Sequence, residues 1–218
     1  MSAARDLSAS GFENVCAIKN HKKQKKKVIN MKLYVVRHGQ SANNVAACYT
    51  GISDIPLTEK GIEDAKSIRP LLSSVTFDRV YTSDLSRAMV TAETALPGCK
   101  YETTPLLRET DVGSISGVPY NEVTPEMREL IHEQGFAPFG GESRQAVFDR
   151  VKKFLDLVLA GGGENVIAFS HAGILKCILD VVLTVEIPRS LIWCGNCTVA
   201  IFEYKYDRWN LHSWINGR

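Results

Sequence analysis

Two apolar runs limit the folds open to this chain more than anything else in it: "LYVV" at Leu33–Val36 and "NVIAF" at Asn165–Phe169. Both are continuous rather than alternating, the pattern of strands covered on both faces. A strand buried twice needs one layer above it and another below. The chain supplies material for both. Thr58–Leu72, Leu85–Ala95, Pro125–Gln134, Arg144–Ala160 and Ala172–Leu183 read as helices. In the fourth, Val147, Val151, Phe154, Leu155 and Val158 recur at three- and four-residue spacing, and the glycines at 161–163 end it. Strands are expected at Lys32–Arg37, Arg79–Ser83, Tyr101–Leu106, Asn165–Ser170, Thr198–Tyr204 and Trp209–Ile215. The short polar turn Lys205–Arg208 makes the last two an antiparallel hairpin. The alternation predicts an α/β fold: a three-layer sandwich with a mostly parallel central sheet and an antiparallel edge hairpin, flanked by helices.

With 218 residues, 44% of them apolar, the chain is long enough for one ordinary core. Its charge is uneven. Residues 1–30 hold Arg5 and six lysines against Asp6 and Glu13, including "HKKQKKK" at His21–Lys27, so the remainder is mildly acidic. A basic, solvated and disordered extension over 1–30 followed by one domain over 31–218 is the expected organisation. An acidic body argues against a nucleic-acid partner. No basic-then-apolar leader and no run of eighteen apolar residues is present, so neither a signal peptide nor a membrane partner is expected. Six cysteines scattered along a chain of this size point to reduced thiols and a cytoplasmic location. "CGNC" at Cys194–Cys197 lacks the second pair that a zinc knuckle needs.

Ligands of open α/β sheets bind beyond the carboxyl ends of the strands. Three runs end there in polar groups: "RHG" at Arg37–Gly39, "TSDLSR" at Thr82–Arg87 and "SHAG" at Ser170–Gly173. Ser83 or Asp84 is a candidate cap for the helix that follows, which puts Arg87 in its first turn. Two histidines and two arginines can thus meet at one edge. Arginine forks suit phosphate oxygens, and a neutral imidazole can act as a nucleophile. Zinc could use both histidines, but two arginines would repel a cation, so no metal site is expected.

These stretches also carry a resemblance. "LYVVRHGQSANN" at Leu33–Asn44 resembles the R-H-G-[E/Q]-S-x-x-N signature of the histidine phosphatase (phosphoglycerate mutase-like) superfamily. "YTGISDIPLTEKG" (Tyr49–Gly61), "VYTSDLSRAMVTAE" (Val80–Glu93), "LRETDVGSISG" (Leu107–Gly117), "FGGES" (Phe139–Ser143) and "FSHAG" (Phe169–Gly173) follow in family order. The resemblance implies that His38 is the nucleophile and forms a phosphohistidine. It implies that Arg37, Arg87 and His171 surround the phosphoryl group, and that Asn44, Thr50 and Gly51 line the substrate site. Glu109 would protonate the leaving oxygen and then activate water. No cofactor is implied, and the partner would be a small phosphorylated substrate. Ile115 and Ser116 stand where many members carry an aromatic and an acidic residue.

Within that family the chain resembles the phosphatases, such as the α-ribazole-phosphate and broad-specificity enzymes, more than the cofactor-dependent mutases. Only 62 residues separate Glu109 from His171, and Gly113–Ser143 contains only Arg128 and His132 as cations, with Arg144 next. A bisphosphorylated intermediate would need more positive charge. Tyr120, Phe136 and Phe139 suggest an apolar lid or the packing of a helical cap. The expected function is a metal-independent phosphomonoesterase acting on small phosphorylated metabolites. A phosphoglycerate mutase and a non-catalytic anion-binding module remain alternatives.

Overall fold

A computed structural model describes residues 30–188 and 191–217. The basic extension expected over 1–30 lies, apart from Asn30, outside the described residues. The strands are β1 (Met31–Arg37), β2 (Arg79–Thr82), β3 (Glu102–Thr103), β4 (Asn165–Ser170), β5 (Val199–Lys205) and β6 (Arg208–Ile215). The helices are α1 (Ala42–Val45), α2 (Glu59–Ser67), α3 (Arg69–Leu72), α4 (Ser86–Ala95), α5 (Pro125–Gln134), α6 (Arg144–Gly161) and α7 (Ala172–Leu183).

All six strands form one sheet in the order β3-β2-β4-β1-β5-β6. The first four run parallel, and β5 and β6 run antiparallel at one edge. The two-residue hairpin turn has Tyr206 and Asp207 both at positive φ, 56° and 58°, the twist that suits a hairpin. Alternate residues of the central strands face opposite layers, as the continuous apolar runs require. Leu33, Val35, Val166 and Ala168 pack with Phe154 of α6 and Ile178 of α7. Tyr34, Val36, Ile167 and Phe169 pack with Ala65 of α2, Leu72 of α3 and Ala92 of α4. That is the expected three-layer sandwich.

Two elements depart from expectation. Tyr101–Leu106 contributes only the two residues of β3 to the sheet. Thr104 Oγ1 then accepts from Leu106 N–H, and Pro105, with no N–H to pair, opens a single 3₁₀ turn. The helix expected over Thr58–Leu72 is two helices that meet at Ile68, where Pro70 cannot donate to the turn before it. Register then sets the site. Arg37 pairs with Ser170 and Thr82 with Phe169, so β1, β4 and β2 end level with one another.

Candidate active site

Backbone bonds continue the level strand ends by one residue: His38 N–H donates to Ser170 O and Ser83 N–H to Phe169 O, each at 2.9 Å. The three polar strand ends are therefore held side by side. The His38 and His171 rings lie 5.1 Å apart between centroids, at 61° to one another. Both side chains are buried.

His38 Nδ1 sits 2.6 Å from the Gly39 carbonyl oxygen. A carbonyl can only accept, so Nδ1 carries the hydrogen and Nε2 keeps its lone pair. Burial above all, then the charges of Arg37 and Arg87, hold the His38 pKa well below the usual imidazole value. His171 is shifted in the same direction by burial and then by His38 and Arg87. Its Nε2 pairs with Ser83 Oγ at 2.9 Å, and that oxygen also accepts from Leu85 N–H. Both imidazoles are thus neutral at neutral pH.

Arg87 is 1% exposed. Its Nη1 donates to Ser53 O at 2.7 Å and its Nη2 to Gly51 O at 2.8 Å. Gly51 holds φ at +54°, and a Cβ there would meet a Val112 methyl at 2.7 Å, which is why the turn uses glycine. Arg37 donates through Nη1 to Cys194 O. Three buried nitrogens of this cluster have no hydrogen-bond partner among the described residues: Arg37 Nε, Arg87 Nε and His171 Nδ1. An unpaired buried donor costs about 1–3 kcal/mol, so three together mark a place built for an anion.

Glu109 follows the 3₁₀ turn. Its Oε1 accepts from Thr110 N–H at 2.8 Å and its Oε2 from Gly173 N–H at 3.1 Å, in the first turn of α7. Arg108 beside it makes a two-bond pair with Asp84, at 2.7 and 2.6 Å. Asn44 Oδ1 accepts from Ser41 N–H and from Asn196 Nδ2. Among the described residues, no group of three or more His, Cys, Asp or Glu side chains is placed to hold a metal ion. No described helix is long and apolar enough to cross a membrane. Cys48, Cys99, Cys177, Cys194 and Cys197 are free thiols.

Residues 33–217 match the sequence profile of the histidine phosphatase superfamily, branch 1. The chain belongs to that superfamily. It is 35% identical over 171 residues to an adenosylcobalamin/alpha-ribazole phosphatase of Salmonella typhimurium, covering 75% of this chain and 84% of that one. It is 29% identical to a Salmonella choleraesuis protein described as "Probable phosphoglycerate mutase GpmB", covering 85% of this chain and 90% of that one. Among solved structures, it resembles a mycobacterial glucosyl-3-phosphoglycerate phosphatase with a TM-score of 0.74 at 26% identity, covering 86% of this chain and all of that one. Two of these three relatives are named as phosphatases and one as a probable mutase.

The structure of this superfamily member brings Arg37, His38, Arg87, Glu109 and His171 to one edge, with Asn44 tied to the backbone of His38 through Asn196. Thr50 and Gly51 join the cluster by their backbones: Gly51 O anchors Arg87, and Thr50 O accepts from Ser116 Oγ at 3.1 Å. Ser116, at one of the two unusual positions, thereby braces that turn, while Ile115 is buried. Neither Ser83 nor Asp84 caps α4 as expected. Asp54 does so from a separate loop, accepting from the N–H and Oγ of Ser86, each at 2.8 Å. Asp84 is spent on Arg108, and Ser83 on His171.

Two further residues went unnoticed in the sequence. Arg150 of α6 grips Glu142 through two bonds of 2.8 Å and donates to the carbonyls of Leu106, Arg108 and Glu109. It thereby fixes the loop that carries Glu109. Its only advance sign is an arginine on the apolar stripe of α6, beside Val147 and Val151. Asn196 donates to His38 O at 3.1 Å and to Asn44 Oδ1 at 3.0 Å.

Proposed function

We propose that this protein is a metal-independent phosphomonoesterase that works through a phosphohistidine on His38, its catalytic domain spanning residues 31–218. The unpartnered nitrogens of Arg37, Arg87 and His171 around a neutral, buried His38 carry this reading. They offer hydrogen bonds to phosphoryl oxygens, and the two guanidinium charges neutralise the group in flight. With Ser83 Oγ–H donating to His171 Nε2, Nδ1 carries the hydrogen that a phosphoryl oxygen accepts.

His38 Nε2 attacks phosphorus, and the bond from phosphorus to the leaving oxygen breaks. Glu109 passes its proton to that oxygen, because an alkoxide is a poor leaving group. The positive charge left on the imidazole is stabilised by the Nδ1–H bond to Gly39 O. Water then gives a proton to the Glu109 carboxylate as its oxygen attacks phosphorus. The P–N bond breaks, phosphate leaves, and His38 is neutral again. Asn44 offers its amide N–H₂ to the substrate, since its Oδ1 is already occupied.

Hydrolysis is favoured over phosphoglycerate mutase activity by the way the cap uses its cations. Arg128 donates to the carbonyls of Val123 and Tyr120, and Arg144 is paired with Glu186. Neither is held ready for the second acidic group of a bisphosphorylated intermediate. The test is to incubate the protein with a labelled phosphomonoester and quench it. The wild type should retain label in an acid-labile, base-stable linkage and keep its activity after chelation. His38→Ala should lose both the label and turnover. Label on serine, or turnover restored only by added metal, would refute the proposal.

A further inference from the structure

A cavity of about 560 Å³ adjoins the catalytic cluster. It lies within the range of about 300–1,000 Å³ that holds ligands of drug size. Two of its wall residues, Thr110 and Gly173, are those whose N–H groups hold the Glu109 carboxylate. The cavity therefore opens on the Glu109 side of the cluster. On the phosphatase reading, which this inference depends on, Glu109 protonates the leaving oxygen. The cavity is then where the leaving alcohol lies.

Its walls have a definite chemistry. Tyr49, Ile131, Phe136 and Phe148 line it. Tyr49 is held edge-on to Phe136 at 5.8 Å and to Tyr120 at 4.7 Å, so the aromatic wall is braced from behind. Four charged wall residues, Arg128, Glu142, Arg144 and Glu186, are engaged within the protein, and Lys176 and His132 complete the polar side of the lining. Arg144 pairs with Glu186, Arg150 neutralises Glu142, and Arg128 is tied to two carbonyls. A two- or three-carbon leaving group would leave most of this space unfilled and its rings uncovered. We infer that the substrate is the phosphate ester of a ring-bearing alcohol, whose apolar ring packs among Tyr49, Phe136 and Phe148 while Glu109 faces its ester oxygen.

Three alkyl esters test this, so that the leaving groups differ little in intrinsic reactivity: 2-phenylethyl phosphate, ethyl phosphate and 3-phosphoglycerate. Phosphate release from the phenylethyl ester should exceed that from the other two by about 10- to 100-fold in kcat/KM, the gain expected from burying one ring. Phe136→Ala should reduce that ratio several-fold. Equal rates on the phenylethyl and ethyl esters, or a preference for 3-phosphoglycerate, would overturn the inference while leaving the phosphatase reading intact. Silence on all three esters would overturn that reading, and the inference with it. The wild-type ratios decide the matter without the variant, should Phe136→Ala fail to fold.

Discussion

A Cβ atom on Gly173 would lie 2.4 Å from Oε1 of Glu109, and the Gly173 N–H donates to Oε2 of the same carboxylate at 3.1 Å. The absence of a side chain at 173 is thus what lets Glu109 lie against the first turn of α7. Gly173→Ala should cost little stability, because alanine favours helices and the obstructing atom is the far end of a flexible side chain. It should cost activity, because Glu109 must move. A misplaced general acid is expected to lower kcat on alkyl phosphates by about 10- to 1,000-fold, approaching Glu109→Gln. Thermal melts and turnover measured together check this. An active Gly173→Ala would mean that Glu109 does not act from this position.

The depressed histidines predict how stability depends on pH. Unfolded imidazoles titrate near about 6.5. In the folded protein His38 and His171 both lie well below that, chiefly through burial. Between those values the unfolded chain binds more protons than the folded one. Their contribution to stability is therefore complete above about pH 6.5 and is lost as the pH falls toward the folded values. The melting temperature of the ligand-free wild type should drop between pH 7 and pH 5 more steeply than that of a His38→Gln, His171→Gln double variant. A steeper drop in the variant would reverse the sign assigned here.

Arg87 is buried and already gives two of its nitrogens to Ser53 O and Gly51 O. Lysine cannot span both carbonyls and still present a third donor. Arg87→Lys should weaken competitive inhibition by inorganic phosphate by about 10- to 100-fold, the value of a charge-assisted hydrogen bond, and should lower the melting temperature as well. An unchanged inhibition constant would remove Arg87 from the phosphate site.

The parts of this fold that were legible in advance are those written in side-chain type. "LYVV" and "NVIAF" announced β1 and β4, and the polar groups at three strand ends announced a cluster at one edge. Local backbone chemistry was harder to read. Thr104 and Pro105 turned a strand-like stretch into a 3₁₀ turn, and Pro70 split a helix whose apolar pattern runs on unbroken. The least legible residues act through backbone groups. Asp54 caps a helix from another loop, Arg150 holds three carbonyls, and Asn196 holds the carbonyl of His38. Backbone N–H and C=O groups recur all along the chain, so such partnerships leave no pattern of types in it.

Asn196 supplies the last prediction. Its Nδ2 donates both to His38 O, at 3.1 Å, and to Asn44 Oδ1, at 3.0 Å, so one amide sets the distance between the backbone of the proposed nucleophile and the side chain proposed to bind substrate. The same loop also supports His38 through Cys197 N–H and Arg37 through Cys194 O. Asn196→Ala removes the bridge but adds no repulsion. Asn196→Asp keeps the shape and sets a carboxylate against two acceptors, His38 O and Asn44 Oδ1. If Asn196 only filled space, the aspartate variant would be the milder of the two. If it positions the nucleophile by donating, the aspartate variant should be the worse, with kcat reduced by about tenfold or more beyond the alanine variant, the cost of about one hydrogen bond turned to repulsion. Steady-state kinetics on one phosphomonoester ranks them, and an aspartate variant as active as wild type would show that the bridge has no part in placing His38.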